Sequence, residues 1–448
     1  MNKFLTVTKA LLIFLICALA VSATDNFDVT EISAAVLYSE PAGPAKPTEP
    51  QPAESEPTQS EAAESDVPAK IEEVKQSAEP KAQPPKKAAE SKLETPAIKV
   101  NPSAEKRAVW ISFLEYKKIL NGKSKNQFKK SIDTYLDNCA QYGINTVIVQ
   151  ARSHSDAYYK SSYYPASVWF TTARSNNFPF DPLSVMIEAA HKRGIKIEAW
   201  VNPYRGNKIS ESFAEDDIIK SWLNTDKVFS DSEYYYLNPG EPEVINYVTA
   251  GVMEIVENYD VDGIHFDDYF YPSSIGTADS NTYAAYGGGK TLAEFRTESV
   301  SRLVSGIYGR IKSVKNITFG ISPAGNIDNC LKKNYADVVT WGKSTGYVDY
   351  LAPQIYWDYG QQPLPYGKAL EKWKKTVTNG SVSLIVGLAP YRIEQSDGSR
   401  WNAGDILKRQ VSDARTAANY GGFIMFRYEH FFSDKLKTER DNLKSILG

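Results

Sequence analysis

A parallel (β/α)8 barrel of the TIM type is the fold class that the sequence predicts. Three observations predict it. Eight apolar segments with strand character alternate with helical patterns over roughly 340 residues. No Gly-rich fingerprint follows the first of these strands, which counts against the rival doubly wound open sheet. Five of the strands turn polar towards their C-terminal ends, the face on which barrel enzymes carry their sites.

The elements follow in chain order. Residues 1–23 read as a secretory signal peptide: Lys3 and Lys9 form a basic start, Leu11 to Ala20 an apolar run, and Val21-Ser22-Ala23 and Ala18-Leu19-Ala20 both offer small-residue cleavage sites. The run is too short to favour a spanning helix. Two alternatives stand at this point, lipidation at Cys17 and an uncleaved anchor. An uncleaved segment would be the chain's only link to a membrane. Either way the body of the protein is expected outside the cytoplasm, secreted or associated with the cell surface or wall.

Residues 24–103 are expected to be a disordered linker. From about Ser39 to Pro102 the chain is dominated by Pro, Glu, Ala, Ser and Lys and has no aromatic residue. Such a segment buries too little apolar surface to offset its ordering entropy. Its prolines make it an extended spacer.

The barrel is expected over residues 104–448. Its strand candidates are Ala108–Phe113, Thr146–Gln150, Lys196–Asn202, Gly263–Asp267, Thr318–Ser322, Tyr350–Tyr356, Ser383–Ala389 and Gly422–Arg427. Between them, Asp181–Arg193 opens with Asp-Pro and closes at Gly194, the punctuation of a helix. Pro242–Tyr259 carries Val244, Val248, Val252, Ile255 and Val256 on one face, and Leu292–Ser313 is a third helix.

Bulk composition narrows the function classes. The 448 residues are 42% hydrophobic and 23% charged, with net charge −3, so no nucleic-acid partner is implied. Eight Trp and 28 Tyr suit a large core and also suit a cleft in which rings stack on sugars. Of three cysteines, Cys139 and Cys330 lie in the barrel region, and a single disulfide between them is an open option.

Strand parity then sorts the polar residues. Side chains alternate between barrel interior and helix layer. In "VDGIHFDDYFYP", Ile264 and Phe266 suit the helix layer, so His265 and Asp267 point inward, while Asp268 sits where strand becomes loop. The same count puts Glu198, Trp200 and Asn202 inside on the third strand, Gln150 and Arg152 on the second, and Gln354 and Tyr356 on the sixth. On the last strand Arg427 shares parity with Glu429, near the mouth. Each has a bland alternative: Glu198, for example, pairing with Arg152, Arg205 or Arg427 inside the barrel.

Inward carboxylates with arginines and aromatics suit a neutral, polyhydroxylated ligand. Glycoside hydrolysis needs one carboxylic acid for the leaving oxygen and a second carboxylate as nucleophile or base. Asp267 and Asp268 are the first candidates, since like charges in proximity let one hold a proton near neutrality. A partner from another element is equally open: Asp156, Glu198, Asp358 or Glu429. A metal reading draws on His265/Asp267 and His154/Asp156, each at i, i+2. No HExxH or Cys-pair motif accompanies them, so no metal and no cofactor is assigned. No G-x-S-x-G elbow supports a serine nucleophile.

The chain from about Lys106 onward resembles the glycosyl hydrolase-like family 10. The resemblance rests on "RAVWISF", "INTVIVQAR", "DPLSVMIEAAHKRGIKIEAWVNPYR", "LNPGEPEV", "YDVDGIHFDDYFYP", "FGISPAGN" and "VDYLAPQIYW", in that order. It implies a TIM-barrel glycosidase fold and an extracytoplasmic role on bacterial cell-wall glycan, because some relatives act on peptidoglycan strands stripped of their peptides. By resemblance, "HFDDYFYP" marks His265, Asp267, Asp268 and Tyr269, "WVNPYR" marks Asn202, Tyr204 and Arg205, and "PQIYW" marks Gln354, Tyr356 and Trp357 as site residues. "QARSHSDAYY" departs from the family's pattern around Ser155, so Asp156 is carried over less securely. The expected function is a glycoside hydrolase of cell-wall glycan with a polysaccharide substrate. The alternative is a barrel that binds such a glycan without cutting it.

Overall fold

The computed structural model describes residues 105–171, 173–395, 400–401 and 403–448. The expected signal peptide and linker lie outside the described residues. No described helix is long and apolar enough to cross a membrane.

Eight parallel strands close into a barrel in the order β1 (Lys106–Ile111), β2 (Thr146–Arg152), β3 (Lys196–Val201), β7 (Gly263–Phe266), β8 (Thr318–Ile321), β9 (Tyr350–Leu351), β10 (Ser383–Leu388) and β11 (Tyr420–Met425). The three remaining strands, β4 (Arg205–Lys208), β5 (Val228–Ser230) and β6 (Tyr234–Leu237), form a small antiparallel sheet in the insertion that follows β3. That sheet is absent from the sequence expectations. Its strands are three or four residues long, too short for a period-two pattern to register.

All eight predicted barrel strands are present. The sixth is shorter than expected, because Pro353 has no N–H to donate to the ladder. Pairing lapses after Leu351 and resumes only at Gln354, which bridges Ala324 and Gly387. The helix at Pro182–His191 is capped by Asp181, whose carboxylate accepts from the Ser184 amide at 3.0 Å. The helix at Pro242–Asn258 buries Val244, Val248, Val252, Ile255 and Val256 against the barrel. Each such burial is worth about 1.5–3 kcal/mol.

Alternation holds. Val109, Ile111, Val147, Val149, Ile197, Ala199, Val201, Ile264 and Phe266 belong to the large core between strands and helices. Ala108, Trp110, Ile148, Trp200, Tyr350, Ala352, Ile385 and Ile424 form a separate cluster inside the barrel. Gly320 makes room for the Tyr350 ring: a Cβ placed there would meet it at 1.9–2.2 Å. Gly320→Ala should therefore destabilise the fold by about 1–3 kcal/mol or more. Urea denaturation would measure it, and an unchanged midpoint would contradict the packing described.

Candidate active site

The lower half of the barrel holds a chain of polar contacts. Lys106 pairs with Glu198. The other Glu198 oxygen accepts from the Tyr350 hydroxyl at 2.5 Å, and Thr318 donates to Glu198 at 2.8 Å. The Tyr350 oxygen lies 2.7 Å from His265 Nδ1, and Trp110 Nε1 donates to His265 Nε2 at 3.2 Å. An indole N–H can only donate, so Nε2 is the acceptor and Nδ1 carries the proton. Burial holds His265 down to about pKa 3, so it is neutral. Glu198 and His265, both marked in the sequence as substrate groups, spend their polar atoms here. The partner of Glu198 is Lys106, not the arginines weighed from the sequence.

One layer higher, in-register pairing of Val201 with Phe266 and of Phe266 with Ile321 makes the next residues of each strand neighbours: Asn202, Asp267 and Ser322. Asp267 is buried. Its Oδ2 accepts from Trp200 Nε1 at 2.9 Å and its Oδ1 from the Tyr269 amide at 3.1 Å. Asp268 is partly buried and accepts from Gln354 Nε2 at 3.2 Å. The Arg205 guanidinium packs over the Tyr269 ring at 4.2 Å and donates to the Ser153 carbonyl. Gln150 lies fully buried and donates to Asn202 at 3.4 Å.

Burial, and then the charge of Asp268, push the Asp267 carboxyl up to about 7, against the pull of Arg205, the Tyr269 amide and Trp200. Burial pushes Asp268 up to about 6, opposed by Gln354 and Arg205. The two values belong to the pair, which keeps about one proton between them.

An aromatic wall stands beside the pair. Tyr356 stacks on Phe426 with centroids 5.6 Å apart and meets Tyr391 edge-on at 5.9 Å, while Phe426 touches Trp110 at 5.8 Å. Trp357 packs over Gly325 in the loop after β8. Trp110, Ser322, Tyr391 and Phe426 were not marked in the sequence. The parity rule applied to β1 and β8 would have found Trp110 and Ser322. Tyr391 comes from a loop helix and carries no such signal.

Other marked residues go elsewhere. The β2–β3 register shifts between Gln150 and Arg152, which brings Arg152 level with Val201 on the helix side. There it packs over the Tyr164 ring at 4.6 Å and donates to the Asn202 carbonyl, so parity counted without the bulge misplaced it. Tyr204 is fully buried in the outer core. Asp156 accepts from the Ser153 and His154 amides at 3.1 and 2.8 Å and so caps its own loop. Burial pushes it up, but His154, Arg174 and the Ser167 hydroxyl hold it below the usual range. On β11 it is Phe426 that shares a side with Ile424; Arg427 faces outward to Glu115 at 2.7 Å. Glu429 is tied to Lys118 and Arg427, which hold it below the usual carboxylate range although burial pushes it up.

Among the described residues, no three His, Cys, Asp or Glu side chains gather where they could hold a metal ion. Cys139 and Cys330 are both buried and free, so the disulfide option does not hold.

The family model described as glycosyl hydrolase-like 10 matches residues 105–402. The chain is 33% identical over 378 residues to glycosyl hydrolase YngK of Bacillus subtilis (strain 168), across 77% of this chain and 72% of that one. It is 31% identical over 345 residues to glycosyl hydrolase DigH of Escherichia coli (strain K12), across 70% and 78%. Among solved structures, the PgaB (BpsB) glycoside hydrolase domain from Bordetella bronchiseptica has the same fold, with TM-score 0.53 and 12% identity over 76% of this chain and 99% of that domain.

Proposed function

The chain belongs to the glycosyl hydrolase-like 10 family, and from that premise we propose that it hydrolyses glycosidic bonds in bacterial cell-wall glycan, outside the cytoplasm. One observation carries the reading. Two adjacent aspartates stand at the mouth of the barrel and share about one proton near neutrality. The protonated group supplies the proton that the leaving oxygen needs, and the ionised one supports positive charge developing at the sugar. Trp200, Tyr269 and Gln354 fix the two carboxyl groups. Phe426, half-buried and backed by Tyr356 and Tyr391, offers its ring to the CH-rich side of a sugar. The apolar run at Leu11–Ala20 supports export, and the family resemblance supports a peptidoglycan strand as substrate.

The test is release of reducing ends from peptide-free glycan strands, with mass analysis of the products. Binding without release would favour the second reading, a glycan-binding barrel. That reading draws on one observation: Glu198, Asp156 and Glu429 are each held by local partners, so none stands ready as a second carboxylate.

The pH dependence has a definite sign. Above about pH 7 the pair loses its last proton and the acid is gone; below about pH 6 both groups are protonated and no carboxylate remains. Activity should peak between these values. Arg205 pulls both carboxyl groups down, so Arg205→Gln should move both limbs of the profile upward. Rate profiles of wild type and variant would show it; coincident limbs would remove Arg205 from the electrostatics of the pair.

A further inference from the structure

Direct displacement at a sugar's anomeric carbon needs a carboxylate on the face opposite the leaving oxygen, about 5–9.5 Å from the acid. Asp267 and Asp268 are consecutive residues just past the end of one strand. Burial raises both groups, and the charge of Asp268 raises Asp267 further. The carboxylates of Asp156, Glu198 and Glu429 are occupied as described, and Asp358 accepts from the Gly360 amide at 2.5 Å and pairs with Arg400.

We infer that the attacking group belongs to the substrate: the carbonyl oxygen of a 2-acetamido group closes on C1 of its own sugar, with Asp267 holding the acetamide N–H and Asp268 serving as acid and then base. This rests on the hydrolase reading and deepens it, because it makes a 2-acetamido sugar obligatory at the bond that is cut. In the first step the acetamide oxygen bonds to C1, the C1–O bond to the leaving sugar breaks, and that oxygen takes the proton of Asp268. In the second, Asp268 takes a proton from water, the water oxygen bonds to C1, and the C1–O bond to the acetamide breaks. The configuration at C1 is retained, and one water is consumed.

The surroundings of Asp267 fit this use. Asn202 Nδ2 and Ser322 Oγ flank it on the two neighbouring strands, each fully buried and each without a partner. Buried polar atoms in that state call for a polar ligand, and an acetamide offers a carbonyl oxygen and an N–H at once. Its N–H donated to Asp267 favours the ionised form of that group and leaves the shared proton to Asp268, nearer the mouth.

The test compares three forms of one peptide-free glycan: native N-acetyl strands, de-N-acetylated strands, and strands re-acylated with trifluoroacetyl groups, whose carbonyl is a poorer nucleophile. The expected result is cleavage of the first with retention, none of the second, and cleavage of the third slowed by about 10–100-fold. The third should still compete for binding with the first, which separates loss of chemistry from loss of recognition. A thiazoline analogue of the cyclised sugar should inhibit. Equal rates on the first and third strands, or inversion at C1, would overturn the inference and leave the hydrolase reading standing. No cleavage of any strand would overturn both. Glu211→Gln, in the segment that follows β4, and Glu394→Gln, at the end of the short helix Pro390–Glu394 that follows β10, should cleave normally; loss of activity with azide rescue in either would identify a protein nucleophile and sink the proposal.

Discussion

Replacing Asp267 or Asp268 with Asn is expected to lower kcat/KM on peptide-free glycan by on the order of 10²–10⁴-fold, the usual worth of a positioned acid or base. Asn keeps the shape and the capacity to accept from Trp200 or Gln354, so substrate affinity should change far less than turnover. Stability should move the other way. A carboxyl whose folded value lies above its unfolded one stabilises the fold fully below the unfolded value and loses that contribution as pH rises through the folded value. For Asp267 that loss is complete above about pH 7. At pH 8 wild type therefore holds an unfavourable buried charge that Asp267→Asn lacks. The variant should melt higher there, and the difference should shrink towards pH 4. Reducing-end assays and thermal scans on the same preparations check both signs. Full activity in both Asn variants would remove the pair from the mechanism, and an Asp267→Asn variant that melts lower at pH 8 would contradict the described burial.

Much of this architecture is legible in the sequence because one physical rule, alternation across a pleated strand, runs through most of it. Ile264 and Phe266 against His265 and Asp267, or Ala199 and Val201 against Glu198, Trp200 and Asn202, separate cleanly because one side meets helices and the other fills a narrow barrel. The rule fails where the backbone leaves the pleat. Arg152 is misplaced by a bulge that no residue type announces. β9 ends early at a proline that reads, from the sequence, as one more apolar position.

Height along the strand is the second limit. Glu198 and Asn202 share a side, yet Glu198 lies low beside Lys106 and Asn202 at the mouth, and only the stagger of the closed barrel fixes those levels. Chemistry carried by loops is the third. Tyr391 meets Tyr356 through a contact far apart in the chain, and Asp156 is spent on the amides of its own turn.

The Lys106–Glu198 pair should dominate stability as the aspartates dominate turnover. Lys106→Met would leave the Glu198 carboxylate buried, with only Tyr350 and Thr318 to accept from. Removing one partner of a buried ion pair costs about 3–5 kcal/mol, because the other charge stays behind without compensation. Burial pushes Glu198 up, but Lys106 and Tyr350 bring it below the usual range, so in wild type its contribution is present above the unfolded value and fades only as pH falls through the folded one. Without Lys106 the balance reverses, and Glu198 should instead destabilise the fold at neutral pH. The double variant Lys106→Met/Glu198→Gln should recover part of the loss, since a neutral amide can still bond Tyr350 and Thr318. Urea unfolding of the two singles and the double closes the cycle and gives the coupling between the side chains. The contact chain runs through Tyr350 and His265 to Trp110, one layer beneath Asp267. A loss of stability with turnover unchanged well below the midpoint would show the chain to be a support for the barrel. A matching loss of turnover would show that it also sets the floor of the site. A Lys106→Met variant as stable as wild type would refute the pairing itself.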